Sequence, residues 1–141
     1  MSRILSFLLT TVVVEAGSGW GRCPTAPVVG DFDQSAYTGV WYEIKYDKYF
    51  YWGGEMKCVT ATYSESGNEN WPIKVENRSY DDSKNKTGGI TGKAKFDSDG
   101  RGKVKFWFFP QGSYEVLASD YTSYAVVWRC DHFFWGIWHT K

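Results

Sequence analysis

From Val40 onward the chain is a succession of short runs rich in Val, Ile, Thr and aromatic residues, broken by Gly, Asn, Asp and Pro. Eight such runs lie near residues 40–46, 56–64, 71–78, 89–97, 102–109, 114–119, 123–130 and 133–139. Turn signals separate them at Gly53-Gly54, Gly67-Asn68, Gly88-Gly89, Asp99-Gly100-Arg101-Gly102 and Pro110-Gln111-Gly112. No stretch keeps a helical period for more than about a turn. The pattern predicts an all-β domain, either an up-and-down barrel or a sandwich. Nearly every connection after residue 55 is short enough for a hairpin, so sequence neighbours pair in space, which favours an eight-stranded antiparallel barrel. The interior of such a barrel holds one small ligand, and function becomes a question about the inner face.

The first sixteen residues follow a different pattern. Met1 to Arg3 is a short basic start, Ile4 to Val14 an apolar run too short to span a bilayer, and Ala16, Gly17, Ser18 and Gly19 are small. That layout reads as a secretory signal peptide over 1–16, leaving 17–141 as one domain with no integral membrane segment after cleavage. Within the 141 residues, 16 Lys+Arg balance 16 Asp+Glu, which removes the basic excess of a general nucleic-acid binder. Rings make up 19% of the chain, including 8 Trp, a density that suits sheet surfaces and ligand cavities. Secretion makes Asn77-Arg78-Ser79 and Asn85-Lys86-Thr87 candidate glycosylation sites, in a polar stretch that reads as a surface loop. Three cysteines, Cys23, Cys58 and Cys130, allow one pair and leave one thiol over. His132 and His139 offer no metal-ligand spacing, and no metal site is expected.

Gly39-Val40-Trp41-Tyr42-Glu43-Ile44, preceded by Asp31-Phe32-Asp33 and Tyr37, resembles the Gly-x-Trp signature of lipocalins. Upstream, Gly21-Arg22-Cys23-Pro24 is similar to the entry of the apolipoprotein D and insect bilin-binding branch. Downstream, Ser119-Asp120-Tyr121 leading into Trp128-Arg129-Cys130 resembles that branch's Thr-Asp-Tyr motif and its cysteine-terminated strand. The likeness covers residues 21–130, and it implies a barrel floor built on Gly39, Trp41, Asp120 and Tyr121. It also implies a Cys23–Cys130 disulfide closing a loop of about 107 residues, worth about 4 kcal/mol in the chain-entropy model. The family partner of Cys58 has no counterpart, so Cys58 is expected as an unpaired thiol. The alternation Lys57, Val59, Ala61, Tyr63 inward would set it on the outer face. Neither the family's C-terminal helix nor the Arg that covers its signature tryptophan is found before Lys141. The expected fold is therefore a lipocalin barrel with the C-terminal helix missing, exposing apolar area near Tyr42 and Ile44 that favours a homodimer.

If Trp41 points inward, alternation brings Glu43 and Lys45 to the cavity, where an unpaired buried charge is costly. Tyr49, Phe50, Tyr51 and Trp52 fall where the family carries a lid loop over the mouth. Val59, Tyr63, Phe106, Phe108, Tyr114, Val126, Trp128 and Trp135 are further candidates for the lining, each also readable as ordinary core. The function these features imply is secreted, extracellular carriage of a small hydrophobic ligand. The resemblance adds the candidate ligands: a bound bilin or carotenoid pigment, a fatty acid or a sterol, with no other cofactor. Two alternatives are an interaction protein docking a partner through residues 46–52, and a lipocalin-type isomerase using Cys58. The second lacks a base beside the thiol, and an enzyme is not the expected reading.

Overall fold

The computed structural model describes residues 18–46, 56–107, 109–133 and 138–140. The leader over 1–16, Tyr49, Phe50, Tyr51, Trp52, Phe108 and Trp135 lie outside them. Among the described residues ten strands are formed: β1 (Ser18–Trp20), β2 (Gly39–Tyr42), β3 (Met56–Glu65), β4 (Ile73–Asp81), β5 (Lys86–Phe96), β6 (Arg101–Phe106), β7 (Gly112–Ser119), β8 (Ala125–Trp128), β9 (Asp131–Phe133) and β10 (Trp138–Thr140). Strands β2 to β8 form one antiparallel meander in sequence order, curled as a half-barrel. Each strand pairs with its sequence neighbour because the connections are hairpins, as the short polar breaks require.

Seven strands, not eight, make up this sheet. The stretch expected as the eighth supplies β9 and β10, which join β1 in a separate three-stranded sheet of order β1-β10-β9. A strand near the N-terminus was not foreseen; its pairing from Ser18↔Thr140 to Trp20↔Trp138 takes up the hydrogen bonds of β10. The β4–β5 hairpin also differs from expectation. Gly88-Gly89 lies inside β5, and the turn sits at residues 82–85, with Asn85 in the left-handed region at φ 48°. Gly89 serves packing there, since a Cβ would come within 2.5 Å of the Asn77 carbonyl oxygen and 2.8 Å of Arg78 Cδ.

Opposite residues in an antiparallel pair face the same side, so the registers fix which side chains point inward. Tyr63↔Val75, Ile73↔Ala94, Ala94↔Val104 and Val104↔Gly112 run across the inner face. The core is where those positions meet: Tyr37, Tyr63, Ile73, Val75, Ala94, Val104 and Val116 are buried, with Phe32, Trp41, Phe96, Phe106, Tyr114, Tyr121 and Ala125 packed on them. Burying one such aliphatic side chain contributes about 1.5–3 kcal/mol.

Two bulges shift the phase of this alternation. In β3, Cys58 and Val59 together oppose one residue of β4, between Lys57↔Tyr80 and Thr60↔Arg78, and Cys58 takes φ 52°. Val59, Ala61 and Tyr63 stay inward, but Lys57 moves to the outer face and pairs with Asp82. In β7 the register slips between Val116 and Ala118, so Val127 joins the inner side while Val126 and Trp128 face outward.

The lead segment closes one end. Val29 N–H donates to Val116 O (3.0 Å), Gly30 N–H to Asp99 O (3.1 Å) and Phe32 N–H to Ser98 O (2.8 Å). The disulfide Cys23–Cys130, with Cα atoms 5.9 Å apart, fastens the start of this strap beside β9.

Candidate functional site

The closed end is a solid plug. Gly39 has φ 128°, open to glycine alone among the residues, and it turns the chain so that Trp41 enters the interior. Trp41 Nε1–H donates to Tyr37 O (2.9 Å), and its ring stacks on Tyr37 at 5.2 Å between centroids. Tyr37, Tyr63 and Tyr114 form a hydroxyl triad in which Tyr114 Oη lies 3.1 Å from Tyr37 Oη and 2.8 Å from Tyr63 Oη. Burial pushes all three phenols above their ordinary range, so they act as neutral hydrogen-bonding groups.

Tyr121 and Asp120 show why the second motif belongs with the first. Tyr121 Oη donates to Asp31 O and accepts from Asp33 N–H, both at 3.1 Å, pinning the strap to the β7–β8 turn. Asp120 accepts backbone N–H groups from Thr122 (3.0 Å), Ser123 (2.8 Å) and Tyr124 (3.0 Å). The Ser123 hydroxyl adds another bond, and together these hold the Asp120 carboxyl well below the usual carboxylate range.

Away from the plug, the inner face opens into a concavity of about 300 Å³. Its walls are Met56 and Val59 on β3, Asn77, Ser79 and Asp81 on β4, and Lys86, Gly88 and Ile90 on β5, with Arg78 and Gly89 at its edge. Hydrophobic and polar groups mix there in the manner of small-molecule sites, at the lower end of their usual size. Asp81 is drawn to a pKa of about 2, first by the hydrogen bond from Lys84 Nζ (2.5 Å) and then by that from Ser83 Oγ (2.6 Å). The telling group is Asn77: its Oδ1 is buried and has no hydrogen-bond donor. A buried acceptor left so costs about 1–3 kcal/mol unless something fills the space beside it.

Sequence-predicted residues divide clearly. Val59 lines the concavity, while Tyr63 and Tyr114 belong to the plug with their hydroxyls committed to each other. Phe106 also packs on the core, its ring so close to Gly92 that a Cβ there would sit 2.5 Å from it. Glu43 and Lys45 are exposed beyond the end of β2, which stops at Tyr42, and neither lines the concavity. Val126 and Trp128 are on the outer face, a consequence of the β7 bulge. Asn77 is not in a loop: it faces inward at mid-strand, where a glycan would have to fill the concavity. Asn85 alone of the two sits in an exposed turn. Cys58 is free and exposed, and it does not line the concavity. Sequence reading missed Asn77 and Ser79 as lining because their polar tripeptide suggests a surface loop; Asn77-Arg78-Ser79 instead alternates inward, outward, inward within β4, which runs to Asp81, and pairing sets Ile90 opposite Asn77.

Residues 32–137 match the lipocalin-like domain. Apolipoprotein D of Rattus norvegicus is 36% identical over 118 residues, which cover 82% of this chain and 60% of that protein. Lazarillo protein of Schistocerca americana is 35% identical over 136 residues, covering 92% of this chain and 61% of that one. The chain thus spans about 60% of the length of these relatives. Among solved structures, lobster apocrustacyanin A1 superposes with a TM-score of 0.57 at 19% identity, over 77% of this chain and 58% of the other. With an inward signature tryptophan, a pinned Asp-Tyr turn and the family domain matched over most of its length, this chain belongs to the lipocalin family.

Proposed function

We propose that this protein is a secreted carrier of a small hydrophobic ligand, bound reversibly in the inner-face concavity. The observation that carries the reading is the unsatisfied Asn77 Oδ1 beside Val59 and Ile90. An apolar wall with one orphaned acceptor suits a largely hydrophobic molecule that can donate an O–H or N–H to it, such as a sterol, a fatty acid in its protonated form or a pyrrolic pigment. The Cys23–Cys130 disulfide, which persists in oxidising compartments, and the apolar N-terminal run support secretion. Cys58, exposed and outside the concavity, offers no comparable support for isomerase chemistry.

Native mass spectrometry of the protein secreted from eukaryotic cells, with its visible absorption spectrum, tests this directly. A mass excess that disappears on denaturation is the expected result, and colour would select a pigment. In fluorescence titrations with a sterol, Asn77→Ala should weaken binding about three- to tenfold, the worth of one hydrogen bond. No adduct, together with no saturable quenching by a sterol, a fatty acid or a bilin, would overturn the proposal.

A further inference from the structure

The outer face of β4, β5 and β6 carries seven cationic side chains, Lys74, Arg78, Lys93, Lys95, Arg101, Lys103 and Lys105; Glu76 is the one carboxylate among them, shared by Lys74 and Arg78, and at the edge Arg101 pairs with Asp99 and lies opposite Glu115 of β7. The chain as a whole has a net charge of zero, so this face is a strong local departure. The lysines are also set in the least comfortable way a sheet allows. Lys74 is directly opposite Lys93, Lys93 opposite Lys105, and Lys95 opposite Lys103. Like charges directly across an antiparallel pair are destabilising. Lys74 is relieved by Glu76 at 2.9 Å. Among the described residues no carboxylate lies within salt-bridge distance of Lys93, Lys95, Lys103 or Lys105. What the Lys93 and Lys95 ammoniums share instead is the ring of Trp71, at 5.0 and 5.4 Å, which gathers the two charges and holds them at the surface.

From this arrangement we propose that the outer face of β4–β6 is a docking surface for a linear sulfated polysaccharide. The row Lys74–Lys93–Lys105 crosses three strands, with a lysine backbone position about every 4.8 Å, and the Lys95–Lys103 row starts two residues along, about 7 Å away. A chain with regularly spaced anionic groups, laid across the strands, meets both rows at once. The face is the outside of a curled sheet and therefore convex. A flexible chain follows that curvature, whereas a flat bilayer would touch only its crest. Lysine point charges suit sulfates presented in varied orientations, since they demand no bidentate geometry. Release of counterions from the polyanion would drive the association, which makes it sensitive to salt. The lysine rows lie on the opposite side of the same strands from the ligand concavity, Arg78 alone of the seven cations reaching the concavity's edge, and the proposal stands whether or not that concavity is occupied.

Binding of the full chain to immobilised heparin, measured at several salt concentrations, is the test. The double variant Lys93→Gln/Lys105→Gln is compared with Arg22→Gln/Lys84→Gln, which removes two exposed cations elsewhere. The expected result is that the slope of log K against log salt falls by about 1.5 for the first variant, about 0.7–0.9 per lost contact, and is unchanged for the second. The first variant should melt no lower than the parent, because it removes opposed like charges, and that separates lost binding from lost folding. Equal losses in both variants, or no retention on heparin at physiological salt, would overturn the proposal. So would binding to vesicles of phosphatidylserine and phosphatidylcholine with no retention on heparin, which would assign the face to a membrane.

Discussion

The tyrosine triad makes a sharp claim about how the plug is held together. Tyr114 Oη touches both Tyr37 Oη (3.1 Å) and Tyr63 Oη (2.8 Å), so one hydroxyl serves two. Replacing Tyr114 with Phe removes both contacts and strands two hydroxyls in the core, each at a desolvation cost of about 1–3 kcal/mol. A loss near 3 kcal/mol is expected, equivalent to a fall in Tm of about 10 °C for a domain of this size. Tyr37→Phe leaves the Tyr114–Tyr63 bond intact and should cost about 1 kcal/mol. The triple Phe variant removes every partner together, and swapping all partners of a buried network for apolar rings of similar shape is close to neutral. Urea unfolding of the parent, the two single variants and the triple variant measures this, with a common m-value required for comparison. If Tyr114→Phe cost no more than Tyr37→Phe, or if the triple variant lost the sum of its singles, the hydroxyls would not be acting as one network.

The buried phenols, the disulfide and the two glycosylation sequons set three further outcomes. Because burial raises all three phenols above their unfolded value of 10.0, their contribution to stability is complete below about pH 10 and is lost as pH climbs toward the folded values. Each contributes a decline of up to about 1.4 kcal/mol per pH unit, so denaturation midpoints should fall steeply between pH 10 and 11 in the parent and much less in the triple Phe variant. Reducing the Cys23–Cys130 bond, or replacing both residues with Ser, should lower stability by about 4 kcal/mol; an unchanged urea midpoint would show that the strap needs no covalent tie. In protein from a glycosylating host, Asn85→Gln should abolish any mass loss on endoglycosidase treatment, while Asn77→Gln leaves it in place, and the reverse result would contradict the inward placement of Asn77.

The parts legible from sequence are those governed by local chemistry. The Gly39 strand entrance and the hairpin order follow from residue types at short range, while the inward Trp41 and the Asp120-Tyr121 turn were legible through the family likeness. The Cys23–Cys130 bond came from family likeness and is present. Errors arose where the chain changes phase. A period of two carries no sign of an inserted residue, so the bulge at Cys58 reversed Lys57, and the slip near Leu117 turned Val126 and Trp128 outward. Gly88-Gly89 misled for a different reason: glycine was read as a turn former, whereas Gly89 is there because Arg78 passes over it. Asn77 escaped notice as lining because its polar tripeptide suggests a loop, whereas it lies at the middle of β4. The last strands misled because pairing with β1 is a long-range event that no local pattern encodes.

The strap across the closed end also sets the order in which the molecule can assemble. Every pairing in the seven-stranded meander joins sequence neighbours, so the sheet can grow hairpin by hairpin with small loop-closure costs. The bonds from Val29 to Val116, from Tyr121 to Asp31 and from Cys23 to Cys130 instead span 87 to 107 residues, and none can form until nearly the whole chain has been made. Pulse-labelled hydrogen exchange should find amides of β4 and β5 protected before that of Val29. The consequence is a nascent chain whose aromatic plug lies open to solvent until β7 and the turn after it have been made, so that exposure to misassembly lasts through the synthesis of the whole β2–β6 meander.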